Sequence, residues 1–179
     1  MSLGKFPTFF VLLGIAALSA AVFGALHNQL SYAVGPDYFH KIKFPQFGIP
    51  ADISPRLGAA LVGAQASWWM GALVGLPAFG LGLFSVPNAR SYLAAGIGAI
   101  GLVIVLATSA ALAGLIGGLI ADTTGLLDQA LSLPDGVARS DFLRAGFMHD
   151  AAYVAGALGA LLAIWPMRRA RAVDLRRAG

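Results

Sequence analysis

Residues 92–122 read YLAAGIGAIGLVIVLATSAALAGLIGGLIAD and carry no charged side chain before the final Asp122. A helix needs about 20 apolar residues to cross a hydrocarbon core of about 30 Å, so this stretch is long enough to span a membrane. Three more apolar stretches lie at residues 6–34, 57–84 and 142–167. The sequence therefore predicts an all-α protein, a four-helix transmembrane bundle that forms a single domain over residues 1–179.

The composition supports a membrane protein and narrows its chemistry. Hydrophobic residues make up 58% of the chain and charged residues only 11%, with a mean hydropathy of +0.78, whereas soluble proteins average about 25% charged residues. The absence of cysteine excludes disulfides, thiolate metal ligands and thiol redox chemistry. All eight acidic residues are Asp, which disfavours a di-metal bundle built on Glu-x-x-His pairs.

Basic residues predict the orientation in the membrane. Five arginines cluster in the tail at residues 168–179, namely Arg168, Arg169, Arg171, Arg176 and Arg177. Such a cluster next to a span stays on the cytoplasmic side. Four spans then place both termini in the cytoplasm of a bacterial inner-membrane protein, with two outer loops at residues 35–56 and 123–141. The first stretch also resembles a cleavable signal peptide, but we interpret it as a span.

Small residues recur at steps of three and four along every span. They are Ala16, Ala20 and Gly24; Ala64, Ser67, Gly71 and Gly75; Ala107, Ala111, Gly114 and Gly118; and Ala152, Gly156 and Ala160. Steps of three and four place each set on one helix face. Because lipid tails are as apolar as Leu, membrane helices associate through close backbone approach at such residues. The stripes are therefore predicted to face other helices.

Three of these stripes lead to an ionisable residue, namely His27, Asp122 and His149. Ionisable groups within membrane spans face the bundle interior and mark functional sites. At 1.5 Å per residue, His27 and His149 both lie about 25 to 30 Å from the inner ends of their helices. The sequence thus predicts one polar site near the outer leaflet. Five neighbours are predicted to join its network: Asn28, Gln65, Asp150, Tyr153 and Trp68.

Three interpretations of this site remain open at the level of sequence. It is a hydrogen-bonded polar plug, a metal or haem site, or part of a path for protons or small solutes. For a cofactor, His27 and His149 are candidate axial ligands of haem b, or ligands of a divalent transition metal together with Asp122 and His40. The transport interpretation is the weakest, because no ionisable residue continues the path into the inner half of the spans.

The first outer loop, residues 35–56, mixes aromatic residues with Lys41 and Lys43. Aromatic rings and cations suit the headgroup layer, so this loop is predicted to be interfacial, in contact with the lipid bilayer, or to fold as a lid. A basic, aromatic pattern also occurs in proteins that bind single-stranded nucleic acid. The outward location argues against nucleic acid as a partner.

Four sequence segments resemble those of a family of uncharacterised bacterial four-span integral membrane proteins. They are HNQLSY at 27–32, PDYF at 36–39, KFPQFG at 43–48 and MHDAAY at 148–153. The resemblance implies the fold and the membrane location, and it supplies no activity. The sequence shows no phosphate loop, paired carboxylates or evident nucleophile with its base. It therefore favours a binding or accessory protein, alone, as a homo-oligomer or as a subunit of a larger membrane complex, over an enzyme.

Overall fold

The computed structural model describes residues 4–178, which are helical apart from short connections. The elements are α1 (Lys5–Val34), a π-helical turn (Tyr38–Lys43), α2 (Phe44–Phe47), α3 (Pro55–Ser85), α4 (Ala89–Thr124), α5 (Arg139–Leu162) and α6 (Ile164–Ala178). Residues 1–3 and 179 of the predicted domain lie outside the described part. Four helices are long and apolar enough to cross a membrane: α1, α3, α4 and the α5–α6 run. The predicted all-α bundle of four membrane helices is confirmed.

The last helix is longer than the predicted span at residues 142–167. It begins at Arg139 and, after an interruption at Ala163, continues through the basic tail to Ala178. Pro166 explains the interruption, because it lacks an N–H and its ring crowds the carbonyl of Leu162. Asp174 holds the tail against the start of α4, accepting hydrogen bonds from the Asn88 N–H at 3.1 Å and the Ser91 hydroxyl at 2.7 Å.

Two helical hairpins form the bundle, with α1 packed along α3 and α4 packed along α5. In the first hairpin, Gly24 and Gly63 face each other so closely that a Cβ on either would collide with the carbonyl group of the other. Gly71 lies in the same way against the carbonyl of Ala16. These contacts bring the two backbones together, as expected for helix association without a hydrophobic driving force.

The second hairpin has the same kind of close backbone contact at Gly114 and Gly118. These residues face the carbonyls of Phe147 and Leu143 on α5. Gly156, from the predicted stripe of α5, differs, because no atom lies within 4 Å of the position of its missing Cβ. It lines a space between the two hairpins. Small residues thus close the hairpins at some positions and leave a cavity between them at others.

The end of the bundle formed by the start of α1, the end of α3 and α6, called the inner end below, is closed by a packed core. Leu12, Phe79, Tyr92 and Met167 are fully buried there, and the Tyr92 hydroxyl donates to the carbonyl of Phe79 at 2.9 Å. The Lys5 ammonium donates to two carbonyls at the end of α3, Leu83 O at 2.7 Å and Val86 O at 3.1 Å. The first hairpin is therefore fastened at its inner end by a charge-assisted C-terminal cap.

At the outer end, residues 36–49 fold back over the bundle and are called the outer lid below. Tyr38 and Phe39 are buried in a cluster with Ala59 and Ala145. The lid is pinned to the start of α5, where the N–H of Asp37 donates to Asp141 Oδ2 at 2.8 Å. These two side chains pack into the protein, so the segment folds as a lid. The contact of this loop with the headgroup layer stays a prediction.

Candidate functional site

His27 of α1 and His149 of α5 meet directly beneath the outer lid. Their ring centroids are 4.8 Å apart and the ring planes cross at 83°. His149 is almost completely buried. The two hairpins therefore touch through a pair of imidazoles, at the level where the helical spacing placed both residues.

Aromatic rings enclose this pair. Phe23 stacks on His27 with centroids 5.7 Å apart, and Tyr38 of the outer lid stacks on His149 at 5.4 Å. The Phe39 ring lies 6.1 Å from His149. The enclosure keeps bulk water from the imidazoles, so each ring nitrogen depends on protein groups or a bound molecule for a hydrogen bond.

The hydrogen bonds of the two imidazoles differ. The Ser31 hydroxyl lies 3.3 Å from His149 Nε2, and either group can donate. In contrast, Nε2 of His27 is buried and has no hydrogen-bond partner within residues 4–178. Ser31 and His149 have the spacing of a nucleophile and its base, but Ser31 is 0% exposed. Ser31 is therefore closed to a substrate, and Nε2 of His27, itself buried, is the ring nitrogen that lacks a partner in the described residues.

The structure brings only part of the predicted polar network to the histidines. The Tyr153 ring lies 6.3 Å from His149. Asn28 is buried, but its side chain donates to the carbonyl of Ala59 at 3.0 Å and so links α1 to α3. Gln65, Trp68 and Asp150 are exposed. Gln65 and Trp68 lie on outward faces, whereas the Asp150 carboxylate is close enough to Lys43 of the outer lid to affect its pKa.

Asp122 and His40, the other two candidate metal ligands, have partners of their own. Asp122 accepts hydrogen bonds from Arg139 at 3.0 Å and Arg144 at 2.8 Å. His40 Nε2 lies 3.0 Å from the Tyr32 hydroxyl. Within the described residues, no group of three or more His, Cys, Asp or Glu side chains is placed to hold a metal ion. Catalytic zinc sites use three protein ligands, so this donor set does not fit such a site.

A haem also fits poorly between His27 and His149. Axial imidazoles lie on opposite faces of the porphyrin with the iron between them, whereas these two rings contact each other edge to face at 4.8 Å. The arrangement leaves no gap for the macrocycle. The imidazole pair is therefore better suited to hydrogen bonding than to clamping a haem.

A cavity of about 130 Å³ lies between the hairpins and has the histidines at its outer end. Much of its wall is made by small residues, among them Gly63, Ser67, Gly71, Ala152 and Gly156. Aliphatic and aromatic side chains complete the wall toward the inner end. The arrangement offers one mostly apolar space, with polar nitrogen atoms concentrated where it meets the outer lid.

Lys43 is the cationic residue at the edge of this cavity. Its ammonium lies 5.3 Å from the centroid of the Tyr38 ring and 3.2 Å from Gln46 Oε1. Burial lowers the pKa of Lys43 below its ordinary value, and the Asp150 carboxylate partly opposes this shift. The outer lid thus carries a cation that is only partly solvated.

The lowered pKa predicts a pH-dependent stability. At pH values between the folded-state pKa and the ordinary value of 10.5, Lys43 binds more protons in the unfolded chain than in the folded protein. The free energy of unfolding therefore rises with pH in this range. We expect the melting temperature of the wild type to rise relative to that of Lys43→Met as the pH approaches 10.5. Thermal unfolding in detergent across this range measures the difference. The exposed neighbour Lys41 provides the control. The difference in melting temperature between the wild type and Lys41→Met should not change over this pH range.

Comparison with known proteins identifies no relative of this chain: no family model, curated protein or solved structure matches it.

Proposed function

We propose that this protein is a small membrane binding protein that takes up one ring-sized molecule in the cavity beside His27. The observation that carries the proposal is a mostly apolar cavity of about 130 Å³ that ends at the His27–His149 pair. An apolar protein cavity of about 150 Å³ accommodates benzene. A single six-membered ring is therefore a group of suitable size for this space.

The polar end of the cavity supplies the orientation of the ligand. Nε2 of His27 lacks a partner in the described structure, and a buried polar atom without a partner carries a desolvation cost of about 1 to 3 kcal/mol. An oxygen on the ring of the ligand relieves that cost. Neutral imidazole can donate or accept at Nε2, depending on its tautomer, so both hydroxyl and carbonyl oxygens are suitable.

We further propose a bacterial inner-membrane location with both termini in the cytoplasm. The arginines of α6 support this orientation, because basic residues next to a span remain on the cytoplasmic side. The histidine pair then lies near the outer leaflet. The same proposal includes an accessory role in a larger membrane complex. A protein with one small site could bind a molecule and supply it to another subunit of that complex.

Binding of 4-fluorophenol, followed by fluorine NMR with the protein in nanodiscs, tests the proposal. Gly156→Leu should abolish binding, because its side chain would extend into the open space at that position. His27→Phe keeps an aromatic ring of similar size and removes the nitrogen. It should weaken 4-fluorophenol binding about tenfold, the equivalent of one hydrogen bond, and leave fluorobenzene binding unchanged.

Gly98→Leu is the matched control for the cavity-filling variant. Gly98 also has open space at its missing Cβ, but it is exposed on α4 and does not line the cavity. This variant should bind 4-fluorophenol like the wild type. Equal binding by the Gly156→Leu and Gly98→Leu variants would show that the probe binds elsewhere and would refute the proposed site.

A further inference from the structure

We infer that the ligand is a benzoquinol or benzoquinone with a hydrocarbon tail, and that it reaches the cavity sideways from the lipid. This inference rests on the proposed function and names the chemical class of its ligand. It follows from a second space in the bundle. A groove of about 600 Å³ runs along the outer halves of α1 and α4.

The groove adjoins the cavity. Ser19, Phe23, His27 and Ile104 line both of them. A substituent on a ring in the cavity would therefore leave past His27, between α1 and α4. The smaller cavity suits a compact head group, and the longer groove suits a tail attached to it.

The groove is apolar and faces the lipid. Its α1 wall includes Leu18 and Leu26, which are 68% and 66% exposed. In a membrane helix, such side chains contact hydrocarbon rather than water. A hydrocarbon tail in the groove exchanges contacts with lipid for contacts with protein, and it need not cross an aqueous phase. Lateral access thus suits a molecule that is already dissolved in the bilayer.

The cavity specifies the head group. Its volume of about 130 Å³ suits one ring better than the two-ring naphthoquinone head or the bulkier phosphate and glycerol of a phospholipid. The His27 imidazole lines the cavity at one end, and Ser19 and Ser67 line it as well. These three polar side chains are the hydrogen-bonding groups that a ring with two oxygens in para positions would use. Quinol hydroxyls and quinone carbonyls both fit, since imidazole and hydroxyl groups can donate or accept.

Displacement of 4-fluorophenol in nanodiscs tests the inference. Two competitors share the ring and differ in the tail, namely 2-geranylhydroquinone and methylhydroquinone, both kept reduced. Thr108→Trp should block the groove, because Thr108 is exposed on its wall. It should weaken displacement by 2-geranylhydroquinone about tenfold or more and leave methylhydroquinone unaffected. Ser109→Trp, one position along α4 and outside the groove, should behave like the wild type.

The outcomes separate this inference from the proposed function. Retained binding of 4-fluorophenol shows that the tryptophan variants are folded and that the cavity is intact. If Thr108→Trp then leaves displacement by 2-geranylhydroquinone unchanged, the tail does not use the groove and the inference is overturned. Equal displacement by a geranyl naphthoquinol would overturn the assignment of a single-ring head. If the wild type does not bind 4-fluorophenol, the proposed function fails, and this inference fails with it.

Discussion

Gly63→Ala should destabilise the protein by about 1 to 3 kcal/mol, the usual cost of overpacking a well-packed interior. A Cβ at this position would collide with the carbonyl group of Gly24 and would lie 2.8 Å from the backbone nitrogen of Ala25. Backbone atoms cannot rotate away as a flexible side chain can. The first hairpin must therefore separate along its length to admit a single methyl group.

Gly80→Ala, on the same helix, should have the opposite effect. No atom lies within 4 Å of the missing Cβ of Gly80, so the only consequence is the higher helix propensity of Ala, worth about 1 kcal/mol. Thermal unfolding of purified protein in detergent, followed by circular dichroism, measures both variants. Shifts of the same sign would mean that the Gly24–Gly63 contact does not determine the stability of the hairpin.

The double variant Gly24→Ala with Gly63→Ala sharpens this test. Either substitution alone forces the same two backbone segments apart, so the second methyl group enters a contact that has already opened. Substitutions at contacting residues are not additive. The double variant should therefore lose less stability than the two single variants predict together, whereas additive losses would indicate two independent contacts.

Asp122→Ala should produce the second large effect, a loss of about 1 to 3 kcal/mol, between the values for exposed and buried ion pairs. The Asp122 side chain is 16% exposed and receives hydrogen bonds from both Arg139 and Arg144. Its removal leaves two guanidinium groups without this carboxylate at the junction of α4 and α5. Because both arginines are partly solvated, the loss is smaller than for a fully buried pair.

Asp128→Ala is the control for this prediction. Asp128 pairs with the same Arg139, but its side chain is 57% exposed. Exposed pairs contribute about 0 to 1 kcal/mol, so this variant should remain close to the wild type. Thermal unfolding at low ionic strength compares the two. Similar losses in both variants would show that total charge, rather than the enclosed position of Asp122, stabilises the junction.

Helix positions were predictable from the sequence because hydropathy and residue size act locally. Apolar length identified the four spans, and helical spacing placed Gly24, Gly114 and Gly118 on packing faces. The same spacing directed His27 and His149 toward other helices, and their rings meet in the structure. These features depend on the direction of the Cα–Cβ bond, which is fixed once the helix is formed.

Features that depend on long side chains and loops were not predictable. Asp122 lies on a stripe that leads toward the histidine site, yet it pairs with Arg139 and Arg144. Helical spacing fixes the position of the Cβ atom of an arginine but not the position of its guanidinium group. The stacking of Tyr38 on His149 depends on a π-helical turn in the outer lid, and apolar periodicity carries no signal for such a turn.

The pairing of helices into two hairpins has a consequence for biogenesis. Each hairpin joins helices adjacent in sequence and can complete its backbone contacts soon after both have been inserted. The cavity takes its walls from all four membrane helices. It cannot exist until translation has delivered α5 and the hairpins have docked. The cavity is thus the last feature of the molecule to form, and an unfinished chain in the membrane lacks the proposed binding site.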